Sequence, residues 1–399
     1  MTHDGRPLRN LIQPVYLPFF SGTLAWGMLV PVLPLYLTDE GVSVALIGVI
    51  LGAAGIGAGL GGLPTGALIA RFGETRVMLG ALSAVGASTA LLGVTNTAIA
   101  LIVLRTVFGA GISGMRLSSQ TWVTRRVEDG MRGRALALVG GSTRFGLFIG
   151  PLLGGLLVDL VGFSTTFLIS GAVTSVGLVA LLRSAADSAQ IRAGFEAPKR
   201  RRSTFGSLRR HRRLLARAAV VPLLVVTVRE GRQTVMPLIG EDLELSATAV
   251  GALVAISAGA DLLLVPVSGI LMDRFGRLWG MVPAFSLVAL GLMSLGFAWF
   301  GDSLVGVVLA GVLIGVGNGM SSGSLLTLGS DIAPADATSE FLAGFAAIGD
   351  LGRVCGPIVV GFVAASFSLG GAAITLALIA AVAILWLISV IGETRGTIS

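Results

Sequence analysis

The sequence predicts an all-α polytopic membrane protein, with twelve transmembrane helices in two pseudo-symmetric six-helix bundles around a central cavity. Of its 399 residues, 54% are hydrophobic and only 12% are charged, whereas an ordinary soluble domain carries about 25% charged residues. The apolar residues fall in runs of about 20, the length of helix that crosses roughly 30 Å of hydrocarbon. The second half of the chain also repeats the pattern of the first.

Twelve apolar runs supply the predicted spans. Their approximate limits are 14–37, 44–70, 77–95, 98–122, 134–159, 165–184, 214–238, 248–272, 279–300, 304–329, 341–366 and 372–392. The polar start MTHDGRPLRN leads directly into the first span, so we expect no cleavable signal peptide. The single cysteine, Cys355, excludes an internal disulfide and a cysteine-rich metal site.

The distribution of basic residues predicts the orientation. An even number of spans places both termini on one side, and the loops of that side contain Arg71, Arg76, Arg125, Arg126, Arg132, Arg134, Arg274 and Arg277. Loops of the other side, such as TDEGVS and IGEDLELSA, contain no Lys or Arg. We therefore expect a multi-pass protein of the cell membrane with both termini cytoplasmic. The basic stretch from Lys199 to Arg217 could bind nucleic acid, but flanking spans favour a linker held against anionic lipid headgroups.

An internal repeat divides the chain into two halves. Four pairs of segments match in the same order, with offsets of 203, 203, 206 and 206 residues: those around Pro34 and Pro237, Gly66 and Gly269, Gly109 and Gly315, and Gly150 and Gly356. We assign residues 1–184 and 214–399 to six-helix halves and residues 185–213 to a basic cytoplasmic linker. Parallel repeats of this kind enclose a cavity at their interface.

Charged residues occur deep in several spans, although each costs about 2.5–3.5 kcal/mol at mid-helix. Spans three, six, nine and twelve have none in their interiors. If every third helix is peripheral, the charged residues face the central cavity. The predicted cavity residues are Trp26, Arg105, Arg144, Arg229, Glu230, Arg232, Asp261, Asn318, Asp350 and Arg353.

Structural alternatives remain open for several of these side chains. Asp350 and Arg353 are three residues apart on one helical face and can neutralise each other. Asn318 can bond a neighbouring helix, and Trp26 can pack in the core. Arg116, near the cytoplasmic end of its span, can extend its guanidinium to the membrane–water interface.

The charged residues deep in the spans, here named the deep set, are Arg105, Arg144, Arg229, Glu230, Arg232, Asp261, Asp350 and Arg353. They comprise five Arg and three carboxylates, an excess of two positive charges. Arg does not lose its proton, so an anionic partner is expected. Arg229 and Arg232 can pair with Glu230 or Asp261. The first half contributes Arg105 and Arg144 without a carboxylate in its spans, so either carboxylates of the second half cross the interface or the substrate brings negative charge. A permanently cationic ligand is disfavoured.

The loop after span two, GALIARFGETR, resembles the cytoplasmic signature of the major facilitator superfamily. Gly66, Arg71 and Gly73 match that signature, with Ala70 at its acidic position. The second-half copy, GILMDRFGR, contains the full set: Gly269, Asp273, Arg274, Gly276 and Arg277. The resemblance implies that this loop locks the outward-open state, and Ala70 predicts a weaker lock in the first half.

Two further motifs extend the resemblance. RTVFGAG in span four, beginning at Arg105, is similar to a family signature linked to proton coupling. The Gly-Pro motif in span five is typical of exporters and antiporters; its residues are Gly146, Gly150, Pro151, Gly154 and Gly155, with Gly356 and Pro357 in the second half. Together they imply a proton-coupled exporter similar to the twelve-helix drug antiporters, although span one here lacks a carboxylate that many of these have.

We therefore expect a transporter and not an enzyme, which exports a small amphipathic organic compound by proton antiport with alternating access. His3 and His211 lie outside the spans, so a carboxylate must bind the coupled proton. The candidates are Asp261, Asp350 and Glu230, in that order. Arg105 would then sense the protonation state of that carboxylate or bind the substrate. No cofactor beyond the coupling proton, no nucleic-acid partner and a monomeric state are expected. The alternatives are a proton-linked importer or exchanger of an anionic metabolite, and a lipid flippase.

Overall fold

The computed structural model describes residues 11–187 and 210–394, and these residues form helices joined by short turns, with no strand among them. The helices are α1 Leu17–Asp39, α2 Val44–Phe72, α3 Glu74–Leu92, α4 Ala98–Arg126, α5 Asp129–Asp187, α6 Arg212–Ala218, α7 Val220–Asp242, α8 Ala247–Phe275, α9 Arg277–Phe300, α10 Leu304–Met320, α11 Ser324–Ile332, α12 Thr338–Ser366 and α13 Leu369–Trp386. Most of the predicted linker, residues 188–209, lies outside the described residues.

Ten helical segments in the described regions of the chain are long and apolar enough to cross a membrane. One of them, within α5, runs for 55 residues, roughly 80 Å at the rise of an α-helix and far more than one bilayer. Gly162, with a φ of 79°, breaks this helix, so α5 comprises two spans, its first and second arms. With the charged helix α7 added, the predicted twelve spans are present.

The two ends of the helix bundle carry opposite charge. At one end, here named the basic face, lie Arg71, Arg126 and Arg274 in the last turns of α2, α4 and α8. At the other end, the acidic face, α1 is followed by Glu40 and α7 ends at Asp242. This division agrees with the loop assignment made from the sequence.

Tight turns at the basic face require glycine. Gly73 and Gly276 follow α2 and α8 with φ of 81° and 99°, a region that residues with a Cβ seldom adopt. The two turns occupy equivalent places in the repeat. They reverse the chain within one residue, so the next helix can pack antiparallel.

Within each half, two helices approach closely at paired glycines. A Cβ built on Gly150 would lie 2.6 Å from the Cα of Gly27, so α5 packs directly on α1. A Cβ built on Gly356 would lie 2.7 Å from the nitrogen of Gly231, so α12 packs on α7 in the same way. Small residues at both positions allow this backbone contact.

The halves meet along two seams near the acidic face. In the α5–α8 seam, side chains at Gly155 or Gly251 would collide with the backbone of Ala247 or Pro151, on the opposite half. The Gly-Pro motif of span five therefore belongs partly to the contact between the halves.

The α2–α12 seam is its counterpart in the repeat. A Cβ on Gly55 would lie 2.7 Å from the carbonyl carbon of Arg353, and one on Gly361 would lie 2.8 Å from the oxygen of Val44. Gly48 similarly meets the backbone of Pro357. Both Gly-Pro motifs thus contact a helix of the other half.

Toward the basic face the two halves separate. Gly59 and Gly66 continue the glycine stripe of α2, and Gly269 continues that of α8, yet a Cβ on any of these three would have no atom within 4 Å. The halves therefore enclose a cavity that is closed at the acidic face and open at the basic face. The predicted two-bundle architecture around a central cavity is confirmed.

Candidate functional site

The central cavity is lined by α1, α2 and α4 of the first half and by α7 and α12 of the second. Three of its lining residues are charged: Arg105, Glu230 and Arg353. The remaining wall is largely apolar, with Trp26, Leu29, Leu51, Phe108, Ile112 and Pro357 among its residues. Four of the predicted cavity residues, Trp26 included, therefore line one space.

Arg105 is a buried cation with free donors. Its side chain lies in the cavity wall on α4, and the residue is 7% exposed. The Nε and Nη1 groups have no hydrogen-bond partner. The guanidinium carbon sits 4.7 Å from the ring centroid of Phe108, one helical turn away, a contact that favours the cation electrostatically.

Glu230 lines the central cavity from the second half of the molecule, whereas Arg105 belongs to the first half. It occupies the middle of α7, and its carboxylate makes no hydrogen bond or ion pair within the described residues. The charges that act on it are those of Arg353, Arg232, Asp350 and Arg105. Glu230 is thus a carboxylate in the cavity without a direct counter-ion.

Asp261 lies in a different environment, at the α5–α8 seam. Arg144 donates from Nη1 to its Oδ1 and from Nη2 to Ser322 at 2.7 Å, and Asn318 donates to its Oδ2 at 2.6 Å. The Nη2 of Arg232 lies 3.9 Å from the same Oδ2. Arg144 belongs to the first half and the other residues to the second, so this network joins the halves.

Arg229 and Asn318 do not line the central cavity, contrary to the prediction for them. Arg229 donates to the carbonyl and the hydroxyl of Ser321 at 3.2 and 2.8 Å, inside the second half. Consecutive helical residues project about 100° apart, so Arg229 cannot face the same side of α7 as Glu230. Asn318 is held by Asp261, as the structural alternative anticipated.

Asp350 and Arg353 form the ion pair that their spacing allows. The Nε of Arg353 lies 3.0 Å from Oδ1 of Asp350, close enough for an ion pair but not aligned as a hydrogen bond. Arg116 approaches the other oxygen of Asp350 at 3.9 Å, across the two halves. Both side chains are partly exposed, at the basic-face side of the cavity.

The contacts described for three arginines of the gate motifs lie within one half. The guanidinium groups of Arg71 and Arg274 lie over the rings of the phenylalanines that follow them, at 5.1 and 5.5 Å. Arg277 pairs with Asp331 at 2.8 Å within its own half. The side chain of Asp273 lies outside the described residues. These contacts accompany the open basic face.

Sequence reasoning missed Asp159 on the first arm of α5. Its carboxylate accepts hydrogen bonds from the backbone nitrogens of Ala247 and Thr248, at 3.2 and 2.9 Å, and so caps the first turn of α8 on the other half. The repeat offset of 206 residues places Ala365 at the equivalent position. That asymmetry was readable in the sequence.

Comparison with known proteins places this architecture in a family. The family model described as the Major Facilitator Superfamily matches residues 15–231 and 223–398, and so spans nearly the whole chain. The chain belongs to the Major Facilitator Superfamily. It is therefore a multi-pass membrane transporter, and the family is one of transporters and not of enzymes.

Two curated relatives of this superfamily member are named for multidrug resistance, at low sequence identity. It is 25% identical over 389 residues to the "Multi-drug resistance efflux pump PmrA homolog" of Lactococcus lactis, covering 95% of this chain and 94% of that protein. It is 26% identical over 383 residues to the "Multidrug resistance protein MdtG" of Proteus mirabilis, covering 89% and 90%.

Solved structures of the superfamily share the fold. A peptide-bound transporter of the POT family superposes with a TM-score of 0.78 at 14% identity, covering 95% of both chains. A D-xylose–proton symporter superposes with a TM-score of 0.74 at 16% identity, covering 98% of this chain and 99% of the other. At such identity the likeness concerns the fold alone.

Proposed function

We propose that this superfamily member exports a small amphipathic organic compound, one that is not permanently cationic, in exchange for protons. The observation that carries the proposal is a cavity between the halves, open at the basic face, with the unpaired carboxylate of Glu230 in its wall. In the proposed cycle, rocking of the halves exposes this cavity alternately to the two sides. The basic face and both termini are cytoplasmic, in the cell membrane, and the protein works as a monomer.

Proton coupling requires a group that gains and loses a proton during the cycle. Asp261 accepts hydrogen bonds on both oxygens and has two arginines beside it, so its carboxylate is already engaged in the contact between the halves. Asp350 is neutralised by Arg353. Glu230 has neither kind of partner, so it replaces Asp261 as the first candidate for the proton carrier, ahead of Asp350.

The names of the relatives support export as the direction, since both are named for multidrug resistance. The absence of a carboxylate in span one removes one position that related antiporters use. Glu230 on α7 supplies a carboxylate from the other half of the same cavity.

The test is transport by purified protein in liposomes with an imposed pH gradient, with Hoechst 33342 as a weakly basic fluorescent probe. We expect gradient-driven uptake by the wild type. Glu230→Gln should abolish the response to the gradient while probe exchange without a gradient persists. Asp350→Asn is the control and should retain the response. Gradient-driven uptake that survives in Glu230→Gln rules out this carrier.

A second candidate is the exchange of an anionic metabolite. It is favoured by the free donors of Arg105 and by the excess of arginine over carboxylate in the deep set. Exchange of radiolabelled organic anions across liposomes at equal pH, without proton movement, would identify this function and would exclude antiport.

A further inference from the structure

Two of the eight deep charges lack a partner in the described residues. The other six are engaged: Arg144 with Asp261, Arg229 with Ser321, Arg232 with Ser257 and Asp261, and Arg353 with Asp350. The exceptions are Arg105, with two buried donor groups free, and Glu230.

The two unpartnered groups have opposite sign and stand on opposite halves. Arg105 belongs to α4 and Glu230 to α7, and both line the central cavity. Their charges act on each other, but their atoms are farther apart than the 4.0 Å of an ion pair. A buried charge without a partner is expensive, because neither water nor protein replaces its hydration fully. The cavity therefore presents one side chain that can bind an anionic group, Arg105, and one that can bind a cationic group, Glu230.

The cavity that contains both charges is otherwise lined largely by apolar groups. Trp26 and Leu29 of α1, Leu51 of α2 and Ile112 of α4 contribute to its wall. A ligand that reaches both charges must therefore also present an apolar body. Gln233 and Thr234, one turn beyond Glu230, are the neutral polar groups of the lining.

We propose that the substrate is an amphipathic ampholyte: a molecule with an apolar body, an anionic group that docks on Arg105 and a protonated amine that docks on Glu230. The inference rests on the proposed function and names the substrate class of the same cavity. An anion alone would leave Glu230 unpaired beside it, and a cation alone would leave Arg105 unpaired. Only a ligand with both charges satisfies both residues together.

This assignment also gives the exchange a physical basis. The amine of the ligand and a proton compete for the same carboxylate, because protonated Glu230 no longer attracts a cation. Arg105 keeps its charge throughout and holds the anionic group whichever way the cavity opens. Proton binding at Glu230 then releases the amine, and the ligand leaves.

The experiment measures binding to the purified protein at constant pH with four forms of one probe. These are 2-naphthylalanine, its N-acetyl derivative, its methyl ester and the N-acetyl methyl ester. An ω-amino naphthyl acid in the same four forms extends the set to a longer charge separation. We expect one of the two ampholytes to bind at least about tenfold more tightly than its singly charged derivatives, the scale of one charged hydrogen bond.

Variants assign each charge to its residue. Arg105→Gln should remove the preference for the acid over the ester, and Glu230→Gln should remove the preference for the free amine over the N-acetyl form. Trp26→Phe is the control, because it alters the apolar wall and should shift all forms alike. The comparison of probes in the wild type stands even if a variant fails to fold.

Equal binding of all four forms for both charge separations overturns the inference; it would mean that Arg105 and Glu230 satisfy each other when the cavity closes. Loss of binding to all forms in both variants, when each variant is shown to be folded, overturns it too, because neither residue then distinguishes the charged groups of the probe. Binding is measured without a pH gradient. A failure of the inferred substrate class is therefore distinguishable from a failure of the proposed proton coupling. A charge-selective cavity without gradient-driven transport would keep this inference and reject antiport.

Discussion

Asp261 shows how one residue can hold two halves of a transporter together. Its two oxygens accept from Arg144 on the first half and from Asn318 on the second. The residue is 9% exposed, so its carboxylate has little access to bulk water. Removing one member of such a pair leaves the other buried without compensation.

We expect Asp261→Asn and Arg144→Gln each to lower the thermal stability of the detergent-solubilised protein. The double variant should lose less than the sum of the two, with a coupling free energy of about 1–3 kcal/mol. Thermal unfolding followed by intrinsic fluorescence measures all four proteins. Strict additivity would show that the ion pair contributes nothing in solution. Arg126→Gln, which removes an ion pair with Glu74 inside the first half at the basic face, is the matched control and should not couple to Asp261→Asn.

At the scale of helices, the two seams contain glycines at equivalent positions of the repeat but differ in their charged residues. Gly155 and its repeat equivalent Gly361 touch the first turns of α8 and α2, respectively. One turn further on, the first seam has Asp159, which caps α8, while the second has Ala365. The α5–α8 seam therefore has an ionic cap that the α2–α12 seam lacks.

Asp159→Ala should weaken closure of the acidic face. Loss of a charged cap costs about 1 kcal/mol, which shifts a two-state equilibrium about fivefold. Distance distributions between spin labels near the break of α5 at Gly162 and on the first turn of α8 report this shift. Ala365→Asp should act in the opposite direction by capping α2. No change in either variant would mean that these caps do not influence the conformational equilibrium.

Gly155→Val should separate the two halves at the acidic face. The added side chain would collide with the backbone of Ala247 in the present conformation, whereas rotation of the halves relieves that contact. We expect greater labelling of cysteines placed on the acidic-face side of the cavity. Gly140→Val is the control, because a Cβ there meets nothing within 4 Å. Equal labelling in the two variants contradicts the assigned seam.

At the scale of the whole molecule, the basic face carries charge pairs inside each half. Glu74 binds Arg126 at 2.8 Å in the first half, and Arg277 binds Asp331 at 2.8 Å in the second. Glu74 and Arg277 occupy equivalent positions of the repeat, 203 residues apart. The two halves therefore have charges of opposite sign at this position. These pairs hold helix ends within a half and leave the halves free to move relative to each other.

Ala70→Asp completes the acidic position of the first gate motif. We expect it to stabilise the state closed at the basic face, since a carboxylate there can pair with groups of the second half once the halves approach. Spin-label distances between the basic-face ends of α2 and α12 should shorten in a fraction of the population. Ala70→Asn lacks the charge and is the control. Equal distances in both variants would show that Ala70 does not limit the lock.

The sequence predicts most of this architecture because hydrophobic length and repeat offset are properties of the chain alone. It also predicts the pairing of Asp350 with Arg353, which depends on local helical spacing. It does not predict the contact of Arg144 with Asp261, which lie 117 residues apart, nor the turning of Arg229 away from Glu230. Those depend on the rotation of each helix about its axis, and that rotation is set by packing.

The ionic cap at Asp159 bears on how the molecule changes state. The two seams differ in strength at the acidic face, so we expect them to open in succession, with α2 and α12 separating first. The first passage to that side would then be a narrow slit along one flank of the cavity, before the second seam releases. A ligand with a flat apolar body could leave through such a slit, whereas a bulky one would have to wait for complete opening.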